Sequence, residues 1–428
     1  MQTHFSAEQL HDPDIERANE ILRACVHCGF CTATCPTYQV LGDELDSPRG
    51  RIYLIKDMLE KGRPADAKTV KHIDRCLSCL SCMTTCPSGV DYMHLVDHAR
   101  TYIEKTGTRP LADRMLRQLL SLVLPRPGLF RLSLYGARLA RPLKAIMPGR
   151  LKGLLGMAPT VIPKASPQDR PQVFPAENKR KMRVALMTGC AQKVLDPKIN
   201  EATIRLLTRH GVEVVVAEGA GCCGALTHHM GKERQSHASA AANIRAWRKQ
   251  MQSGGLDYIV INTSGCGTTV KDYGFMLGDD PELANDAKIV SGIARDITEV
   301  MSEITLQLKG KAPKLKIAYH SACSMQHGQK ITTVPIDLLS SAGFQVVTIP
   351  ESHLCCGSAG TYNLLQPTLA EKLRDRKMQN IATVAPEVIA AGNLGCMIQI
   401  AGGTETPVVH TVELLDWATG GPIPRALD

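Results

Sequence analysis

The feature that most constrains this chain is a cysteine motif that occurs twice near the N-terminus, in residues 25–36 and 76–87. Each copy spaces four cysteines as C-x2-C-x2-C-x3-C and places a proline directly after the last one. In proteins with two [4Fe–4S] clusters, this spacing gives three ligands to one cluster and sends the fourth cysteine to the other. The proline lacks an N–H and has a fixed φ, so it ends the ligand loop. The two motifs therefore predict two [4Fe–4S] clusters.

The exchange of the fourth ligand divides the eight cysteines into two predicted sets. The first cluster is expected to be bound by Cys25, Cys28, Cys31 and Cys86. The second cluster is expected to be bound by Cys76, Cys79, Cys82 and Cys35. A structural zinc site is the alternative, but zinc is held by two C-x2-C pairs and leaves the other cysteines without a role.

The distance between the motifs indicates a helical domain. Forty residues separate Cys35 from Cys76, which is more than a small β-rich ferredoxin places between its motifs. Residues 52–59 have the apolar spacing of an amphipathic helix. We therefore predict a helical ferredoxin domain over residues 1–108. Arg49 and Arg51 are candidates to hydrogen-bond cluster sulfur or to cap helices, and the alternative is that both are surface groups.

Composition excludes several other classes of protein. At 428 residues and 44% hydrophobic content, the chain is long enough for two or three domains with apolar cores. Its sixteen cysteines do not indicate a secreted disulfide scaffold, because that pattern belongs to short chains behind a signal peptide, and the first ten residues lack one. No apolar run is long enough to span a membrane. Aromatic residues, at 4%, are too scarce to favour a stacking surface for nucleic acid.

The formal net charge of +9 comes from one segment, residues 109–152, which contains ten basic residues and one acid. Three leucine-rich pieces, residues 116–124, 129–139 and 143–155, alternate there with arginines and prolines. Such amphipathic pieces can lie on an anionic membrane surface. A basic helical segment packed on a neighbouring domain or an acidic partner is the alternative. With a proline-rich linker at residues 159–175, this region is expected to span residues 109–180.

The second half of the chain is an internal repeat, whose two copies are offset by 133 positions. Each copy has the pattern strand, helix, strand, Cys-Cys-Gly, helix, strand. Crossovers of that length join parallel strands. We therefore predict two α/β domains with short parallel sheets, here called CCG domains, at residues 181–310 and 311–428. The whole chain is expected to be an α+β multidomain protein.

Every cysteine of the repeat directly follows a predicted strand. The carboxyl ends of parallel strands share one edge of a sheet, so four thiols should meet in each domain. The two predicted groups are Cys190, Cys222, Cys223 and Cys266, and Cys323, Cys355, Cys356 and Cys396. An adjacent cysteine pair suits an unusual iron–sulfur cluster, a zinc site or a redox-active thiol pair, and unreactive buried thiols are the alternative. The nearby histidines are expected to be surface or neighbouring groups rather than ligands: His228, His229, His320 and His353.

Two ferredoxin motifs followed by two CCG domains resemble a known family of iron–sulfur subunits. It includes those of glycolate oxidase (glycolate dehydrogenase), anaerobic glycerol-3-phosphate dehydrogenase and lactate utilisation, and heterodisulfide reductase subunits. The run Cys-Val-His-Cys-Gly-Phe-Cys-Thr-Ala-Thr-Cys-Pro-Thr-Tyr at residues 25–38, with Asp-Ser-Pro-Arg-Gly-Arg-Ile at residues 46–52, is most similar to the glycolate oxidase iron–sulfur subunit.

The resemblance implies electron transfer for glyoxylate metabolism. In this family a separate flavin subunit oxidises glycolate to glyoxylate, and the iron–sulfur subunit passes the electrons towards quinone. It also implies a hetero-oligomeric complex that is cytoplasmic and peripheral on the bacterial inner membrane. We find no G-x-G-x-x-G that opens a helix after a strand and no catalytic residue, so flavin is expected in the partner and not in this chain.

One departure from the family pattern bears on the CCG sites. In heterodisulfide reductases the CCG domain ends in C-x-x-C, which gives five cysteines, whereas Cys266-Gly-Thr-Thr and Cys396-Met-Ile-Gln leave four in each domain here. A four-cysteine cluster, a zinc ion or a metal-free thiol site stays open. Two other functions also stay open: the equivalent subunit of a lactate or glycerol-3-phosphate dehydrogenase, and a CCG-type thiol–disulfide reductase.

Overall fold

The computed structural model describes residues 1–107, 109–142, 159, 161–309 and 314–428. Its N-terminal domain is helical, and α4 contains the helix predicted at residues 52–59. Pro36, which follows Cys35, occupies the first position of α3, where a missing N–H costs no hydrogen bond. The helices are α1 (Pro13–Ala24), α2 (Phe30–Thr34), α3 (Pro36–Leu41), α4 (Pro48–Glu60), α5 (Ala67–Asp74), α6 (Ser81–Thr85) and α7 (Tyr92–Thr106).

The basic segment forms two helices, α8 (Leu111–Val123) and α9 (Pro127–Leu139), and its third predicted piece lies outside the described residues. Arg117 is buried and pairs with Asp74 and Asp113, so the ferredoxin domain neutralises part of the positive charge. Other side chains of the two helices are exposed and form what we call the leucine–arginine surface: Leu119, Leu132, Leu139, Arg114, Arg126 and Arg138. No helix in the described part of the chain is both long and apolar enough to cross a membrane.

The first CCG domain contains a five-stranded sheet with the order β1-β3-β2-β4-β5. All neighbouring strands are parallel except β1, which lies at the edge antiparallel to β3. β1 belongs to the stretch expected to be a linker. The strands are β1 (Gln172–Phe174), β2 (Met182–Met187), β3 (Val212–Val216), β4 (Tyr258–Ile261) and β5 (Ala294–Asp296). The helices are α10 (Gln192–Leu195), α11 (Lys198–Arg209), α12 (Ala225–His228), α13 (Glu233–Gly254), α14 (Ser264–Lys271), α15 (Tyr273–Met276), α16 (Ala284–Ile293) and α17 (Ile297–Ser302).

The second CCG domain repeats this arrangement with four parallel strands in the order β7-β6-β8-β9. The strands are β6 (Lys316–His320), β7 (Gln345–Thr348), β8 (Val388–Ala391) and β9 (Val408–His410). The helices are α18 (Val334–Ser341), α19 (Tyr362–Leu365), α20 (Pro367–Ala382), α21 (Leu394–Ala401) and α22 (Thr411–Ala418). Ser324–Gly328 forms a π-helical turn directly after Cys323.

Each sheet ends in a strand that the sequence pattern did not predict. β5 and β9 have only three residues each, which is too short for a clear alternation of apolar residues. The helix after each strand begins with a capping box, from Asp296 to Glu299 and from His410 to Glu413. Asp followed three residues later by Glu is a sequence signal for a helix start and could have located the first unit, whereas histidine is not one of the residues in that signal.

The two CCG domains share one apolar core. α11 of the first domain packs on α22 of the second, and apolar side chains from both sheets meet between them. Asp416 on α22 is buried and pairs with Arg205 at 2.7 Å and with Arg209 at 3.0 Å. Because the core is continuous, the orientation of one sheet relative to the other is fixed by packing.

A glycine follows the cysteine pair in both domains and adopts the same left-handed conformation. Gly224 and Gly357 each have φ of +89°. A Cβ at Gly357 would lie 2.5 Å from the carbonyl oxygen of Ala370 on α20, and a Cβ at Gly224 would lie 2.9 Å from that of Ser236 on α13. The glycine therefore lets the cysteine loop pack directly on the following helix. An added Cβ at Gly221 would meet no atom within 4 Å, so the close approach belongs to the glycine after the pair.

We expect Gly357→Ala to lower the free energy of unfolding of the loaded protein by about 1–3 kcal/mol, because the variant combines backbone strain with a steric clash. Gly136→Ala on α9 is the matched control, since an added Cβ there meets no atom within 4 Å and alanine favours a helix by roughly 0.5–1 kcal/mol. Urea unfolding compares the two variants. A destabilisation of equal size in both would contradict the assignment.

Candidate metal centres

Two small cavities in the ferredoxin domain are lined by the cysteines of the two motifs. The first cavity is lined by Cys25, Cys28, Cys31, Cys82 and Cys86. The second cavity is lined by Cys35, Cys76, Cys79 and Cys82. Cys86 of the second motif thus joins the first motif, and Cys35 of the first motif joins the second. These are the positions that the exchange of the fourth ligand predicts, and Cys82 lies between the cavities.

The ligand loops of the two motifs bend in the same way. Two residues of each loop have a left-handed backbone: His27 and Gly29 in the first, with φ of +56° and +86°, and Ser78 and Leu80 in the second, with φ of +49° and +62°. A left-handed residue with a side chain costs roughly 1–3 kcal/mol and persists where its surroundings determine its conformation. The shared bend supports a common ligand geometry in the two motifs.

A buried carboxylate, Asp46, connects the chain around the two motifs. Its Oδ1 accepts a hydrogen bond from Nη2 of Arg51 at 3.3 Å and lies 2.9 Å from Nδ1 of His72, and its Oδ2 accepts from Nη1 of Arg75 at 2.8 Å. Arg51 also donates to the backbone oxygen of His72, and its Nη1 lies 3.9 Å from Sγ of Cys35. Arg51 is therefore a buried cation beside a predicted ligand sulfur.

The first cavity has an exposed cysteine, whereas the cysteines of the second are buried or half-buried. Cys28 is exposed, and its neighbours Val26 and Phe30 are exposed to 66% and 62%. Arg49 lines this cavity, is half-buried and pairs with Glu44. In the second cavity, burial raises the pKa of the Cys82 thiol well above its usual range. A metal ion replaces the proton of such a thiol. Eight thiols around two cavities thus fit two iron–sulfur clusters.

The four cysteines of the first CCG domain meet beyond the ends of β2, β3 and β4. Their thiols form a continuous hydrogen-bonded chain in the order Cys190, Cys222, Cys223 and Cys266. The bonds from Cys190 and Cys223 lower the pKa of Cys222 to about 4. Cys222 also accepts a hydrogen bond from the backbone N–H of Gly224 at 3.4 Å. The fold thus gathers one thiol after β2, the adjacent pair after β3 and one thiol after β4.

The second CCG domain repeats this chain and adds a histidine. The thiols contact one another in the order Cys323, Cys355, Cys356 and Cys396. The imidazole of His320 lies within 4.8 Å of the sulfurs of Cys356 and Cys396, and its Nε2 has no hydrogen-bond partner. Burial lowers the pKa of His320 to about 3, so the ring is neutral. His320, expected to be a neighbouring group, is close enough to bind a metal ion held by these thiols.

The other three histidines named in the sequence analysis, His228, His229 and His353, have contacts other than the cysteine sulfurs. His228 pairs with Asp97 of α7 at 3.1 Å, and His229 lies 3.9 Å from the same carboxylate. His353 is half-buried, and its backbone oxygen lies 3.2 Å from Nε2 of His327.

The two four-cysteine sites differ in the residue at one equivalent position. Gly224 packs on Ser236 of α13, and Gly357 packs on Ala370 at the corresponding position of α20. At the same distance further along each helix, the first domain has Asn243 and the second has Lys377. Lys377 is buried, and its Nζ donates to the backbone oxygen of Glu351 at 2.9 Å. Burial lowers its pKa, while the neighbouring Cys323, Cys356 and Cys355 thiols oppose that shift. The second site is thus built beside a cation, which nothing in the sequence pattern indicates.

The three sulfur-rich regions lie next to one another. Leu77 and Cys79 of the second ferredoxin motif pack in one apolar cluster with Cys323 and Cys355. The two CCG sites are joined through Ser264 on α14, whose hydroxyl lies 2.7 Å from that of Ser324 and accepts from Asn393 at 3.0 Å.

Comparisons with known proteins agree with this organisation. Residues 21–90 match the family of 4Fe-4S dicluster domains, and residues 184–271 and 317–401 match the cysteine-rich domain CCG. The glycolate oxidase iron-sulfur subunit of Escherichia coli (strain K12) is 44% identical over 418 residues, 98% of this chain and 99% of that protein. The probable glycolate oxidase iron-sulfur subunit of Bacillus subtilis (strain 168) is 29% identical over 98% of this chain and 99% of that protein. The crystal structure of a hypothetical protein from Helicobacter pylori shares the fold, with a TM-score of 0.51 and 10% identity, over 97% of this chain and 74% of that one.

We expect Asp46→Asn to lower the free energy of unfolding by about 3–5 kcal/mol, because it leaves the buried charge of Arg51 uncompensated. Iron should be lost first from the ligand set that contains Cys35. Urea unfolding and iron content measure the two effects. Asp43→Asn is the control, since Asp43 is exposed and accepts from the N–H of Leu45 through an oxygen that asparagine retains. Similar iron retention in both variants would contradict the role of Asp46.

We expect Lys377→Met to weaken metal binding in the second CCG domain if the site holds an anionic metal–thiolate centre. Such neighbouring groups typically contribute about 10–100-fold to metal affinity. The measurement is the rate at which a chelator removes metal, with Lys372→Met, an exposed position on the same helix, as the control. If the site holds free thiols, Lys377→Met should instead retain or gain stability, because methionine avoids the cost of burying the ammonium group.

Proposed function

Since this chain belongs to the family of the glycolate oxidase iron–sulfur subunits, we propose that it is the electron-transfer subunit of a complex that oxidises glycolate to glyoxylate. A separate flavin-containing subunit removes the electrons from glycolate, and this chain conducts them towards quinone. The grouping of eight cysteines around two cavities carries the proposal. The identity of 44% along nearly the whole chain supports glycolate as the substrate of the complex.

The ligand sets of this proposal are Cys25, Cys28, Cys31 and Cys86 for one [4Fe–4S] cluster, and Cys76, Cys79, Cys82 and Cys35 for the other. Bound clusters supply one-electron redox chemistry. The chain provides thiolate ligands, an apolar enclosure that excludes water, and the buried cation of Arg51 beside Cys35. A positive charge at this distance favours the more negative, reduced state of a neighbouring group.

Electrons enter, in this proposal, at the first cavity. The exposed side chains of Val26 and Phe30 surround the exposed Cys28 and offer an apolar contact for the flavin partner. The cysteines of the second cavity are buried or half-buried, and this motif packs on the second CCG domain, so the second cavity is suited to receive electrons from the first. The four-cysteine sites are proposed to hold a further iron–sulfur cluster or zinc.

The leucine–arginine surface supports a peripheral location on the cytoplasmic face of the inner membrane. Its leucines can enter the interface between lipid headgroups and acyl chains, and its arginines can contact anionic headgroups. Because Arg117 pairs with Asp74 and Asp113, the attraction comes from the exposed arginines rather than from the whole basic segment.

The hydrogen-bonded thiols of the first CCG domain favour a second candidate, a thiol–disulfide reductase. The Cys222 thiol is the one whose pKa is lowered, and it lies beside Cys223. A thiolate next to a second thiol is the arrangement that attacks and then resolves a disulfide. Retained disulfide turnover after replacement of both cysteines by serine would exclude this candidate.

The decisive measurement is substrate-dependent reduction of the clusters, followed by EPR on the purified complex with its flavin partner. We expect glycolate to reduce the clusters and the chain without the partner to show no reduction by glycolate. The two N-terminal ligand sets should account for about eight iron atoms per chain, and any excess reports on the CCG sites. Oxidation of glycolate by this chain alone would contradict the division of labour, and reduction by lactate or glycerol-3-phosphate instead of glycolate would reassign the substrate.

A further inference from the structure

A cavity of about 640 Å³ lies where α8 and α9 cover the two CCG sites and the second ferredoxin motif. Sites for small molecules and cofactors commonly have volumes of about 300–1,000 Å³ and mainly apolar walls. Much of this wall is apolar, with Leu116, Leu120, Val123, Leu124, Phe130 and Leu134 supplied by the two helices. Metal centres at the two four-cysteine sites would fill part of this volume, and the remainder, below the two helices, has the lining of a binding site for an apolar molecule.

The described lining of this cavity contains no carboxylate, lysine or arginine. Among the described residues a charged ligand would find no ionic partner to compensate for its lost hydration, which favours a neutral molecule. Ser324, Asn363 and Asn393 add a few polar groups at the end nearest the strands. A neutral molecule with an apolar body and a polar head fits this distribution.

The wall of the cavity also contains thiols from every predicted metal centre except the first ferredoxin set. They are Cys79 from the second ferredoxin motif, Cys190, Cys223 and Cys266 from the first CCG domain, and Cys323, Cys355 and Cys396 from the second. A molecule in the cavity would touch the ligand spheres of these centres. Such a molecule is therefore well placed to exchange electrons with these centres.

One side chain of the lining lies between the cavity and a buried carboxylate. His229 lies in the cavity wall, and its buried Nδ1 has no hydrogen-bond partner. Asp97 is 3.9 Å from that nitrogen, and its other oxygen lies 3.1 Å from Nε2 of His228. Asp97 and His228 also line a second, polar cavity, together with His94, His98 and His237. A row of titratable groups thus leads from the polar cavity to the apolar one.

We propose that the apolar cavity is the binding site for a quinone and that Nε2 of His229 hydrogen-bonds its carbonyl oxygen, while Nδ1 faces Asp97. The inference rests on the proposed function and gives it a site. The quinone takes up two electrons, which originate from glycolate and reach it through this chain, and two protons from water to become a hydroquinone. His229 passes protons to the carbonyl oxygen and is reprotonated through Asp97 and His228. The oxidation of glycolate releases two protons to water, so charge and atoms balance.

The position of the cavity suits a ligand that comes from a membrane. Leu119 and Ser133 line the cavity and are also exposed, so the cavity reaches the surface between α8 and α9. The leucine–arginine surface lies on the same two helices. An isoprenoid tail could therefore extend from the cavity along exposed leucines into lipid.

The proposal is tested by a substitution that fills the cavity with a larger side chain in the intact complex. Ala137 on α9 lines the cavity, whereas Tyr135 on the same helix is exposed and does not. With glycolate as donor and decylubiquinone as acceptor, we expect Ala137→Trp to raise KM for the quinone by about tenfold or more. Tyr135→Trp should leave KM unchanged. An azidoquinone should label residues 111–139 in the natural chain and Tyr135→Trp, but not in Ala137→Trp.

The role of His229 is tested by His229→Gln, which retains a hydrogen-bond donor but cannot relay a proton. We expect kcat with decylubiquinone to fall about a hundredfold, the size of a lost general acid, with KM nearly unchanged. Reduction of the clusters by glycolate should continue in this variant. A parallel loss of cluster reduction would show a structural role for His229 and overturn its assignment.

The outcomes separate the two proposals. If glycolate fails to reduce the clusters of the natural complex, the proposed function is wrong. If glycolate reduces the clusters and quinone turnover is the same in Ala137→Trp as in the natural complex, the cavity assignment is wrong and the function stands. Displacement of the azidoquinone by a fatty acid as effectively as by decylubiquinone would make the cavity a lipid site and overturn the inference.

Discussion

The ferredoxin domain depends on one buried carboxylate. Asp46 contacts Arg51 on α4 and Arg75, the residue directly before Cys76, so the same side chain connects the chain after the first motif with the chain before the second. Arg51 in turn reaches Cys35, the cysteine of the first motif that is predicted to bind the second cluster. Residues with left-handed backbone such as Leu80 need a rigid frame, because their strain persists only where the surroundings hold them. The ion pairs of Asp46 supply that frame.

In the CCG domains the corresponding constraint is the parallel sheet itself. All parallel strands end at the same edge of the sheet. Cysteines that follow β2, β3 and β4 therefore meet there, although they are far apart in the sequence. Gly224 and Gly357 then press the cysteine pair against a helix. The second CCG domain supplies a second set of four cysteines. The core shared between α11 and α22 fixes the angle between the two sheets and so holds the two sets next to each other. The hydrogen bonds of Ser264 to Ser324 and Asn393 join the two edges.

Much of this could be predicted from the sequence, because the signals are periodic or positional. Cysteine spacing divides the ferredoxin ligands, and strand patterns place the CCG cysteines at one edge. Other features depend on tertiary contacts that leave no local trace. Lys377 has the sequence of an ordinary helical lysine, and its burial is set by the loop that packs on α20. The ion pairs of Arg117 likewise depend on Asp74 of another helix. The edge strand β1 was missed because three residues beside prolines have no strand pattern.

The asymmetry between the two CCG sites gives the proposed path of electrons a direction. A buried cation stabilises the more negative state of a neighbouring centre. Lys377 provides one at the second site, whereas Asn243 takes the equivalent place at the first. The second site also packs on Cys79, so it is the CCG site in contact with the ferredoxin domain. Electrons that enter beside the exposed Cys28 would therefore move towards the second CCG site, whose Cys323, Cys355 and Cys396 line the apolar cavity. The position of the second CCG site and its neighbouring positive charge thus both favour this site as the point where electrons leave the chain.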